Sequence, residues 1–305
     1  MSFSITVLGN SSALPTSHRH PSAQIINVYE HFFLVDCGEG AQMQLRKNKI
    51  RFSKINQIFI SHLHGDHCFG LLGLISTYNL LGRNSDLHIY SHSELEKILS
   101  WQIKYFCADL SFKIVYHSID PDENMVIFEN SHITVSTIPL NHRIPTCGFL
   151  FKEKEKLRHL QKDMIDFYQI PIKKLINIKS GEDFVTPEGK IIPNERLTRP
   201  ADRSRSYAFC TDTGYTESII PIIKDVDILY HESTFLSDLK TMAEKTFHST
   251  AENAAQIALK ANVKKLLLGH FSSRYNDLTL FIKEAEEIFP NVEIAEENKI
   301  FDIDV

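Results

Sequence analysis

The segment Ser61-His62-Leu63-His64-Gly65-Asp66-His67 constrains this chain more than any other stretch of its sequence. It directly follows the apolar, β-branched run 55–60, which predicts a buried strand. In an extended segment alternate side chains point to the same side, so the first two histidines lie together, and the glycine lets the chain turn and bring the aspartate and the third histidine back. Imidazole nitrogen and carboxylate oxygen are common ligands of zinc-like ions. Four such groups fit two adjacent ions better than one.

The composition is that of an ordinary globular protein. With 305 residues, 43% hydrophobic and 23% charged, the chain can bury a sizeable core and is not mainly disordered. It has neither a basic, apolar leader nor a run of roughly 18 apolar residues, so we expect a cytoplasmic protein without membrane contact. Five cysteines without a C-x-x-C pair indicate reduced thiols rather than a disulfide framework or a thiolate zinc site.

Periodicity and turn residues predict an alternation of strands and helices. Strands are predicted at 5–8, 23–28, 31–37, 55–60, 87–90, 112–117, 125–128, 132–138, 147–151, 207–210, 227–230, 265–269 and 292–296. Helices are predicted at 69–81, 93–105, 250–261 and 278–288. Mixed sheets with covering helices in two comparable halves indicate a layered α/β sandwich.

Between the two halves lies a charged, proline-punctuated and poorly periodic segment, residues 152–205. We interpret it as an insertion into a single domain of residues 1–305 rather than as a second core. The formal charge of the chain is −5, yet residues 151–206 carry 13 Lys/Arg against 9 Asp/Glu. The insertion can therefore present a local surface that faces anions.

The pattern His62-x-His64-x-Asp66-His67 resembles the hallmark of the metallo-β-lactamase superfamily of hydrolases. This resemblance implies an αβ/βα four-layer sandwich of two mixed sheets with outer helices and two Zn²⁺ per chain, with Mn²⁺ as an alternative. Later strand ends supply the remaining matching positions, although each one alone also fits an ordinary loop or turn residue: His142, Asp212 and His270.

The resemblance also assigns roles to these residues. One ion is held by His62, His64 and His142, the other by Asp66, His67 and His270, and Asp212 bridges them. Asp36, in Asp36-Cys37-Gly38-Glu39-Gly40, matches a further family motif and orients a histidine ligand, with a plain turn aspartate as the alternative. Two ions favour phosphodiester cleavage. Lactamases of the superfamily commonly use a cysteine ligand, so antibiotic hydrolysis is disfavoured.

Within the superfamily the chain is similar to the short form of tRNase Z (ribonuclease Z) over nearly its whole length. Four segments carry this similarity: the loop 9–16, the block 58–72, His231-Glu232-Ser233-Thr234 with His248-Ser249-Thr250, and Phe271-Ser272-Ser273-Arg274-Tyr275. The similarity implies a zinc-dependent endoribonuclease that removes the 3′ trailer from precursor tRNA and leaves a 3′-hydroxyl on the tRNA.

Catalytic roles follow from that similarity. Glu232 orients His248, which donates a proton to the oxygen that departs from the scissile phosphate, and Asp66 acts in catalysis beside its role as a ligand. Ser249-Thr250-x-Glu252 also fits a helix cap, which can coexist with catalysis. Arg274 either clamps a phosphate bidentately or is an exposed structural arginine.

The similarity further makes 152–205 an arm that grips the tRNA body. Its lysines, among them Lys173, Lys174 and Lys179, are candidate phosphate contacts, while Phe167 and Tyr168 pack its base. A merely solvated charged face is the alternative. The Gly-Pro turn of many short-form arms is replaced here by Gln169-Ile170-Pro171. Short-form enzymes work as homodimers in which each arm serves the partner's site, so we expect a homodimer.

Two rival functions remain open at this point. The first is a small-molecule hydrolase, for phosphodiesters or thioesters, which needs the metals and has no use for the arm. The second is a nucleic-acid-binding module with a relic site, which needs neither the complete ligand set nor a proton relay. Cleavage of a trailer-bearing precursor tRNA distinguishes these hypotheses from the tRNA-processing function.

Overall fold

The computed structural model describes residues 2–107 and 109–304. The chain divides into two compact units. The sandwich unit comprises the chain up to Lys152 together with Ser206–Asp304, and the arm unit comprises Glu153–Arg205.

The strands of the sandwich unit are numbered here together with those of the arm, in chain order. They are β1 Phe3–Gly9, β2 Ala23–Val28, β3 His31–Val35, β4 Ile55–Phe59, β5 Leu87–Ser91, β6 Ile114–Ser118, β7 Val126–Glu129, β8 Ile133–Pro139, β9 Cys147–Glu153, β10 His159–Leu160, β11 Phe184–Val185, β12 Ile191–Ile192, β13 Thr198–Arg199, β14 Ser206–Cys210, β15 Ile228–Glu232, β16 Lys265–Gly269, β17 Val292–Ile294 and β18 Ile300–Asp302.

The helices are numbered in the same way. They are α1 Ala41–Lys47, α2 Gly65–Cys68, α3 Gly70–Leu80, α4 Glu94–Phe106, α5 Lys162–Phe167, α6 Leu175–Lys179, α7 Asn194–Leu197, α8 Lys240–Thr246, α9 Ala251–Lys260 and α10 Thr279–Glu286. The long apolar-periodic segments were predicted to within a few residues at each end. The short helices α1, α2 and α8 were not predicted, because they are too brief to show a period.

Two mixed sheets of seven strands form the sandwich unit. The first has the order β18-β1-β2-β3-β4-β5-β6 and the second the order β17-β16-β15-β14-β9-β8-β7. Strands β3 to β6 run parallel to one another, as do β14 to β17. Since parallel strands end at the same edge of a sheet, the residues that follow β3 and β4, and those that follow β14, β15 and β16, gather at common edges.

The buried apolar residues form three layers in the sandwich unit. Between the sheets, Phe59 contacts Phe149 with 5.5 Å between ring centroids, and Phe33 contacts Phe151 at 5.7 Å. A second cluster joins the first sheet to α1, α3 and α4, and a third joins the second sheet to α9 and α10. The layers therefore run helix, sheet, sheet, helix, and the predicted αβ/βα four-layer sandwich is confirmed.

Helix α9 begins with a capping box that matters for the site. The Thr250 side chain accepts a hydrogen bond from the Asn253 amide at 3.1 Å, and the Asn253 side chain accepts one from the Thr250 amide at 3.1 Å. The cap anticipated at Ser249-Thr250-x-Glu252 thus exists, with Asn253 in place of Glu252 as the reciprocal partner. It fixes the start of the helix at Ala251, three residues after His248.

The arm unit has a small core of its own, which its weak periodicity concealed. The core consists of five buried residues: Ile170, Ile178, Phe184, Ile192 and Leu197. The expectation that Phe167 packs the base of the arm is wrong, because its side chain is 74% exposed, whereas Tyr168 does pack against the core. Helix α5 ends there with Phe167 on its outer face.

Left-handed backbone replaces the missing Gly-Pro turn of the arm. Gln169 has φ 49°, a conformation that usually favours glycine. Its amide donates to Asp166 O at 3.1 Å, and the Ile170 amide donates to Ile165 O at 3.0 Å, so α5 ends in a Schellman-type turn. Glutamine therefore makes the turn at the position where the resemblance leads one to expect a Gly-Pro pair.

No helix in the part of the chain that the structure describes is long and apolar enough to cross a membrane. The five cysteines form no disulfide, and four of them are buried.

Candidate metal centre and catalytic site

The predicted site residues come together at the carboxyl ends of strands. Asp36 follows β3, His62 follows β4, Asp212 follows β14 and His270 follows β16, while Glu232 is the last residue of β15. Asp36, Asp212 and His270 have positive φ values of 55°, 29° and 59°. Aspartate and histidine adopt this region more readily than bulky residues do, and such strained positions cluster at functional sites. The turns that end these strands therefore aim the side chains inward.

The first set of donor atoms is formed by three histidines. His62 Nε2 lies 2.9 Å from His64 Nδ1, which in turn lies 3.3 Å from His142 Nε2. One oxygen of Asp212, Oδ2, lies 3.4 Å from His62 Nε2 and 3.7 Å from His142 Nε2. His142 Nδ1 is 2.9 Å from the backbone carbonyl oxygen of Phe247 and forms a hydrogen bond with it. The other ring nitrogen, Nε2, is therefore the one that can bind a metal ion.

The second set lies on the other side of Asp212. Its oxygen Oδ1 is 3.3 Å from His67 Nε2 and 3.0 Å from His270 Nε2. The two imidazole nitrogens are 3.3 Å apart, and Asp66 Oδ2 lies 3.4 Å from each of them. The two oxygens of Asp212 thus face two different donor sets, which is the geometry of a bridging carboxylate.

These separations match the edges of tetrahedra. Zinc bonds of roughly 2.0–2.1 Å to nitrogen and oxygen place neighbouring ligand atoms of a tetrahedral site about 3.3–3.4 Å apart. Each donor set can hold one ion: the first contains His62, His64, His142 and Asp212, and the second contains Asp66, His67 and His270 with the other oxygen of Asp212. The cluster and the fold together indicate divalent metal binding.

The carboxylates of the cluster create a negative potential that favours positive charge beside them. Burial alone would raise the pKa of the Asp212 carboxyl, but the imidazoles of His270 and His67 outweigh it and hold that pKa well below its usual range. Burial likewise opposes charge on His270, yet the two carboxylates of Asp212 and Asp66 raise its pKa to about 10. The buried carboxylate of Asp212 and the partly buried carboxylate of Asp66 draw protons onto these imidazoles, and divalent cations satisfy the same negative potential without protons.

Asp36 lies behind the cluster, at the edge of the His67 ring that faces away from the second donor set. Its Oδ2 lies 2.6 Å from His67 Nδ1 and accepts a hydrogen bond from Ser61 Oγ at 3.0 Å, while its Oδ1 accepts one from the Ser61 amide at 2.9 Å. Asp36 and His67 are both fully buried. The carboxylate therefore fixes the ring orientation of His67 and turns Nε2 toward the second donor set.

Glu232, which is buried, and His248, which is partly buried, form a pair beside the cluster. Glu232 Oε1 lies 2.8 Å from His248 Nδ1 and also accepts a hydrogen bond from the Thr213 amide at 2.9 Å. Burial would lower the pKa of His248, but the Glu232 carboxylate outweighs it, so the pKa is raised. The His248 ring lies 5.1 Å from that of His142 and 5.6 Å from that of His270. The pair thus places a protonatable imidazole next to the metal-binding residues.

Thr234 connects this pair to the second donor set, and its role was not predicted. Its hydroxyl donates to Glu232 Oε2 at 2.8 Å and lies 3.1 Å from His270 Nδ1. The sequence segment that contains it was recognised as a motif, but only the glutamate received a role. The sequence signal available for this role was a hydroxyl residue two positions after the predicted catalytic glutamate.

A cavity of about 460 Å³ opens over the cluster, and we call it the metal cleft. It is lined by Ser12, Ala13, Pro15, Pro21, Glu39, His64, Gly65, Asp66, Phe69, Arg143, Asp212, His248 and His270. The loop 9–16 lies at its edge, where the Ala13 amide donates to Asp66 Oδ2 at 2.7 Å. Arg143 was also missed by the sequence reasoning, although it directly follows a predicted ligand.

Arg274 lies outside the metal cleft, in an adjoining cavity of about 260 Å³ that also contains Arg143 and His248. Its guanidinium carbon lies over the Phe235 ring, 5.7 Å from the centroid. The arginine is thus near His248 and not among the residues that line the cleft.

The lysines singled out in the arm fall into two groups. Lys173 and Lys174 are exposed on a short 3₁₀ turn, whereas Lys179 is half-buried at the end of α6. Lys179 lines a cavity of about 620 Å³ together with His159, Leu160, Arg199 and Pro200. Within the arm, Arg199 therefore shares a concave surface with Lys179, while the other two lysines stand apart from it.

Several ribonuclease Z sequences align with nearly the whole of this chain. A ribonuclease Z from Bacteroides fragilis is 50% identical over 296 residues, which cover 97% of each chain. One from Phocaeicola vulgatus is 51% identical and covers 97% of this chain and 96% of its own. One from Porphyromonas gingivalis is 46% identical and covers 99% of both. The arm lies within each of these alignments.

Solved structures and family models agree on the fold. The short form of human tRNase Z (ELAC1) superposes with a TM-score of 0.72 at 24% identity, covering 99% of this chain and all of its own. A long-form RNase Z from yeast gives 0.69 at 18% identity, covering 99% of this chain and 42% of its own. Residues 3–164 match the family described as anti-Pycsar protein Apyc1, and residues 197–271 match the beta-lactamase superfamily domain. The sandwich is a metallo-β-lactamase fold.

Proposed function

The chain belongs to the ribonuclease Z family, and on that premise we propose that it is an endoribonuclease of tRNA 3′ processing, which removes the 3′ trailer from precursor tRNA. One observation carries the proposal: the carboxylate of Asp212 separates two donor sets, and the Glu232–His248 pair lies directly beside them. This combination serves hydrolysis of a phosphodiester with a poor leaving group. The rival of a small-molecule hydrolase is not favoured by the relatives.

We propose two Zn²⁺ as the resident ions, with Mn²⁺ as the alternative. Imidazoles dominate the first donor set, and this chemistry suits zinc, while the carboxylates of Asp66 and Asp212 keep manganese compatible with the second. When bound, two such ions activate a water nucleophile and neutralise charge on the attacking and leaving oxygens. The residues of the chain position these events and move the protons.

Asp66 serves the attacking side. The cleft-facing carboxylate is held at Oδ2 by the Ala13 amide at 2.7 Å and stands 3.4 Å from His67 and His270. The two imidazoles outweigh the effect of burial and lower its pKa, so Asp66 remains an ionised ligand. From this position it can also accept the proton of the attacking water.

His248 serves the leaving side. Hydrolysis that leaves a 3′-hydroxyl on the tRNA breaks the bond between the scissile phosphorus and the 3′ oxygen of the last tRNA nucleotide. The phosphate stays on the 5′ end of the trailer, and the departing 3′ oxygen needs a proton. Glu232 holds His248 at Nδ1 and stabilises the imidazolium, so Nε2 is the nitrogen that delivers the proton. Glu232 is itself fixed by backbone amides of Thr213 and Thr234, each at 2.9 Å. The relay is therefore rigid before the substrate arrives.

We propose that the arm unit binds the tRNA body. Its exposed lysines Lys173 and Lys174 and the concave surface with Lys179 and Arg199 suit phosphate groups. Acidic residues of the arm partly offset this positive charge. Asp202 lies 3.1 Å from Nε2 of His159, which lines the same concave surface. Recognition of the backbone rather than of bases is what such a surface provides.

We infer a homodimer, and the exposed apolar face of α4 supports it. Trp101, Tyr105 and Phe106 are each more than 60% exposed on this helix, and Phe69 is 73% exposed. Contiguous exposed aromatic side chains are typical of protein interfaces. Substitution Trp101→Glu is expected to give monomers in sedimentation equilibrium, and a dimer that persists would place the interface elsewhere.

We also infer that the protein works in the cytoplasm. Precursor tRNA is the substrate that the proposed reaction requires, and in bacterial relatives this RNA is made in that compartment. Fractionation of cells that express the full chain tests this inference.

The decisive experiment is cleavage of a trailer-bearing precursor tRNA by the purified protein, with metal counted in parallel. We expect a cut next to the discriminator base and about two metals per chain. Asp212→Ala is expected to lose both metal and activity, because both donor sets lose an oxygen. His248→Ala is expected to keep the metal and to lower kcat by about 10²–10⁴-fold. Lys283→Ala, on α10, is the matched surface control.

Other outcomes point to different functions. Hydrolysis of a small phosphodiester without cleavage of the precursor would retain the metal site and remove the tRNA assignment. Precursor binding without any hydrolysis, at full metal content, would favour the binding module with a relic site.

A further inference from the structure

A cavity of about 260 Å³, which we call the side cavity, adjoins the metal cleft. It shares four lining residues with the cleft: Ser12, Ala13, Arg143 and His248. Arg274 lines the side cavity and not the cleft. The two cavities therefore meet at His248, the side chain that donates the proton in the proposed reaction.

The two cavities differ in the charge of their walls. Three carboxylates line the metal cleft, those of Glu39, Asp66 and Asp212. Among the described residues that line the side cavity there is no carboxylate, while two of them are arginines, Arg143 and Arg274. A wall with positive groups and no negative ones attracts anions. The side cavity therefore favours an anionic group of the substrate.

These two arginines differ from a structural arginine of the same unit. The buried Arg83 donates to the backbone carbonyls of Ile55 and Ser85 at 2.9 and 2.8 Å. In the part of the chain that the structure describes, the guanidinium groups of Arg143 and Arg274 have no carboxylate or carbonyl partner, and both side chains are exposed. A free guanidinium fork can bind a phosphate through two parallel hydrogen bonds.

Both arginines are held close to His248. Arg143 directly follows His142, whose ring centroid lies 5.1 Å from that of His248. The guanidinium carbon of Arg274 lies 5.7 Å from the centroid of the Phe235 ring, which in turn lies 6.2 Å from the His248 ring. Two guanidinium groups from separate loops thus line one space beside the proton donor.

The chemistry of the leaving group decides which part of the RNA lies at this end of the cleft. His248 donates its proton to the 3′ oxygen of the last tRNA nucleotide, so that nucleotide lies on the His248 side of the scissile phosphate. The phosphate itself stays with the trailer, which continues in the other direction. Toward the body of the tRNA, the next anion is the phosphodiester on the 5′ side of the last tRNA nucleotide.

We propose that the side cavity binds this phosphodiester, which joins the last tRNA nucleotide to the acceptor stem, through Arg143 and Arg274. The inference deepens the proposed function and rests on it, because it assigns a place to the 3′ end of the tRNA. Binding there holds the last tRNA nucleotide with its 3′ oxygen toward His248. The two arginines are thus substrate-binding residues, and their phosphate is not the scissile one.

Three precursor tRNAs test the proposal. One has natural phosphodiesters, the second has a neutral methylphosphonate at the proposed bond, and the third has a methylphosphonate between the first two trailer nucleotides. All three carry 2′-O-methyl ribose on the 5′ side of both positions, which keeps the methylphosphonate stable. The metal-loaded wild type, Arg143→Gln, Arg274→Gln and the exposed control Arg51→Gln are compared by kcat/KM. Arg143 and Arg274 are exposed, so their variants are expected to fold.

The loss caused by Arg143→Gln is expected to depend on one bond of the substrate. On the natural precursor the substitution lowers kcat/KM about tenfold, as loss of one charge-assisted contact does. The methylphosphonate at the proposed bond lowers the wild-type value by a similar factor, and the substitution then causes no further loss. On the precursor with the trailer methylphosphonate, the full loss persists. Arg274→Gln follows the same pattern, and Arg51→Gln behaves as wild type on all three.

Two further readouts report on charge. Arg143→Lys retains part of the activity on the natural precursor, because it keeps the charge without the fork. The slope of log KM against log salt is less steep by about 0.7 in Arg143→Gln on the natural precursor, as for loss of one single-strand phosphate contact. With the methylphosphonate at the proposed bond, the slopes of variant and wild type coincide.

Other patterns overturn the proposal. Equal losses for Arg143→Gln on the natural precursor and on the one modified at the proposed bond would place this arginine on another phosphate. A loss that vanishes only with the trailer methylphosphonate would place the side cavity on the trailer. No loss on the natural precursor would remove Arg143 from substrate binding. In each of these cases the wild type still cuts the natural precursor, and the proposed function stands. A wild type that does not cut it would overturn the proposed function and this inference together.

Discussion

The sandwich and the arm differ in how firmly they hold their functional groups. The sandwich buries three apolar clusters around its sheets, and its site residues lie at strand ends between them. The arm has a core of five residues and leaves Phe167 and Ile172 largely exposed. Metal ligation needs donor atoms placed to a fraction of an ångström, whereas lysine contacts with phosphate tolerate mobile side chains. The difference is consistent with the proposal that the sandwich carries the chemistry and the arm binds the RNA.

One pair of residues in each unit makes the same contrast in miniature. In the sandwich, Asp36 and His67 are 2.6 Å apart and fully buried. In the arm, Asp202 and His159 are 3.1 Å apart and each about half exposed. Buried pairs fix orientation, because water cannot replace either partner, while exposed pairs contribute little. An aspartate–histidine pair therefore fixes side-chain orientation in the sandwich, whereas the corresponding pair in the arm contributes little.

Among the three changes that test this contrast between the units, removal of the arm is expected to have the largest effect. Replacement of residues 155–200 by a short glycine-serine linker should weaken precursor tRNA binding about 100-fold, as loss of about three phosphate contacts of roughly 1 kcal/mol each does. Gel-shift titration at fixed salt measures this change. Hydrolysis of bis(p-nitrophenyl) phosphate by the same protein should be unchanged, since the three sandwich clusters contain no residue of 155–200.

Equal loss of both activities in that deletion would mean that the arm supports the fold of the sandwich, and the contrast between the two units would fail. Charge reversal of Lys173 and Lys174 in the intact chain is the milder control, because it leaves the arm core in place.

Substitution Asp36→Asn is expected to have the next largest effect. The amide still fills the space but no longer supports the basicity of His67, so metal affinity should fall about 10–100-fold. Competition with a chromogenic chelator measures the affinity. Asp202→Asn, the exposed counterpart in the arm, is the matched control and should leave it unchanged. Unaltered affinity in Asp36→Asn would reduce that carboxylate to a turn residue.

Substitution Gln169→Gly is expected to have the smallest effect. Glycine relieves the left-handed backbone at φ 49°, and after its larger entropy in the unfolded chain is subtracted, the arm should gain about 0.5–1 kcal/mol. Hydrogen exchange of the Ile178 amide reports the stability of the arm. Exchange of Leu267 in β16 should not change. Loss of protection at Ile178 would show that the glutamine side chain supports the turn in a way that outweighs its backbone strain.

How much could be predicted differs between the two units for a physical reason. The sandwich strands and long helices could be predicted, because burial on one or both faces imposes a regular spacing of apolar residues along the sequence. The arm elements span two to six residues each, which is too short to show any period. Its core was therefore missed, and Phe167 was assigned to it wrongly.

The candidate site shows the same division. His62, His64, Asp66 and His67 were found together because they lie within six positions of one another. His142, Asp212 and His270 were found through a family resemblance, and the structure places them against that cluster. Arg143 and Thr234 were missed, because neither residue type has a spacing that marks its function. Only the folded chain brings each of them beside His248 or Glu232.

By itself the sequence determined the layered α/β class, the metal-binding segment after β4 and the position of the insertion. Each of these depends on neighbours along the chain: strand period, turn residues and closely spaced donors. Tertiary structure decided that the two oxygens of Asp212 face separate donor sets, that Asp36 lies behind His67, and that two arginines share a cavity at His248. These depend on which strand ends meet at an edge, and sheet order is set by packing over distances that local patterns do not encode.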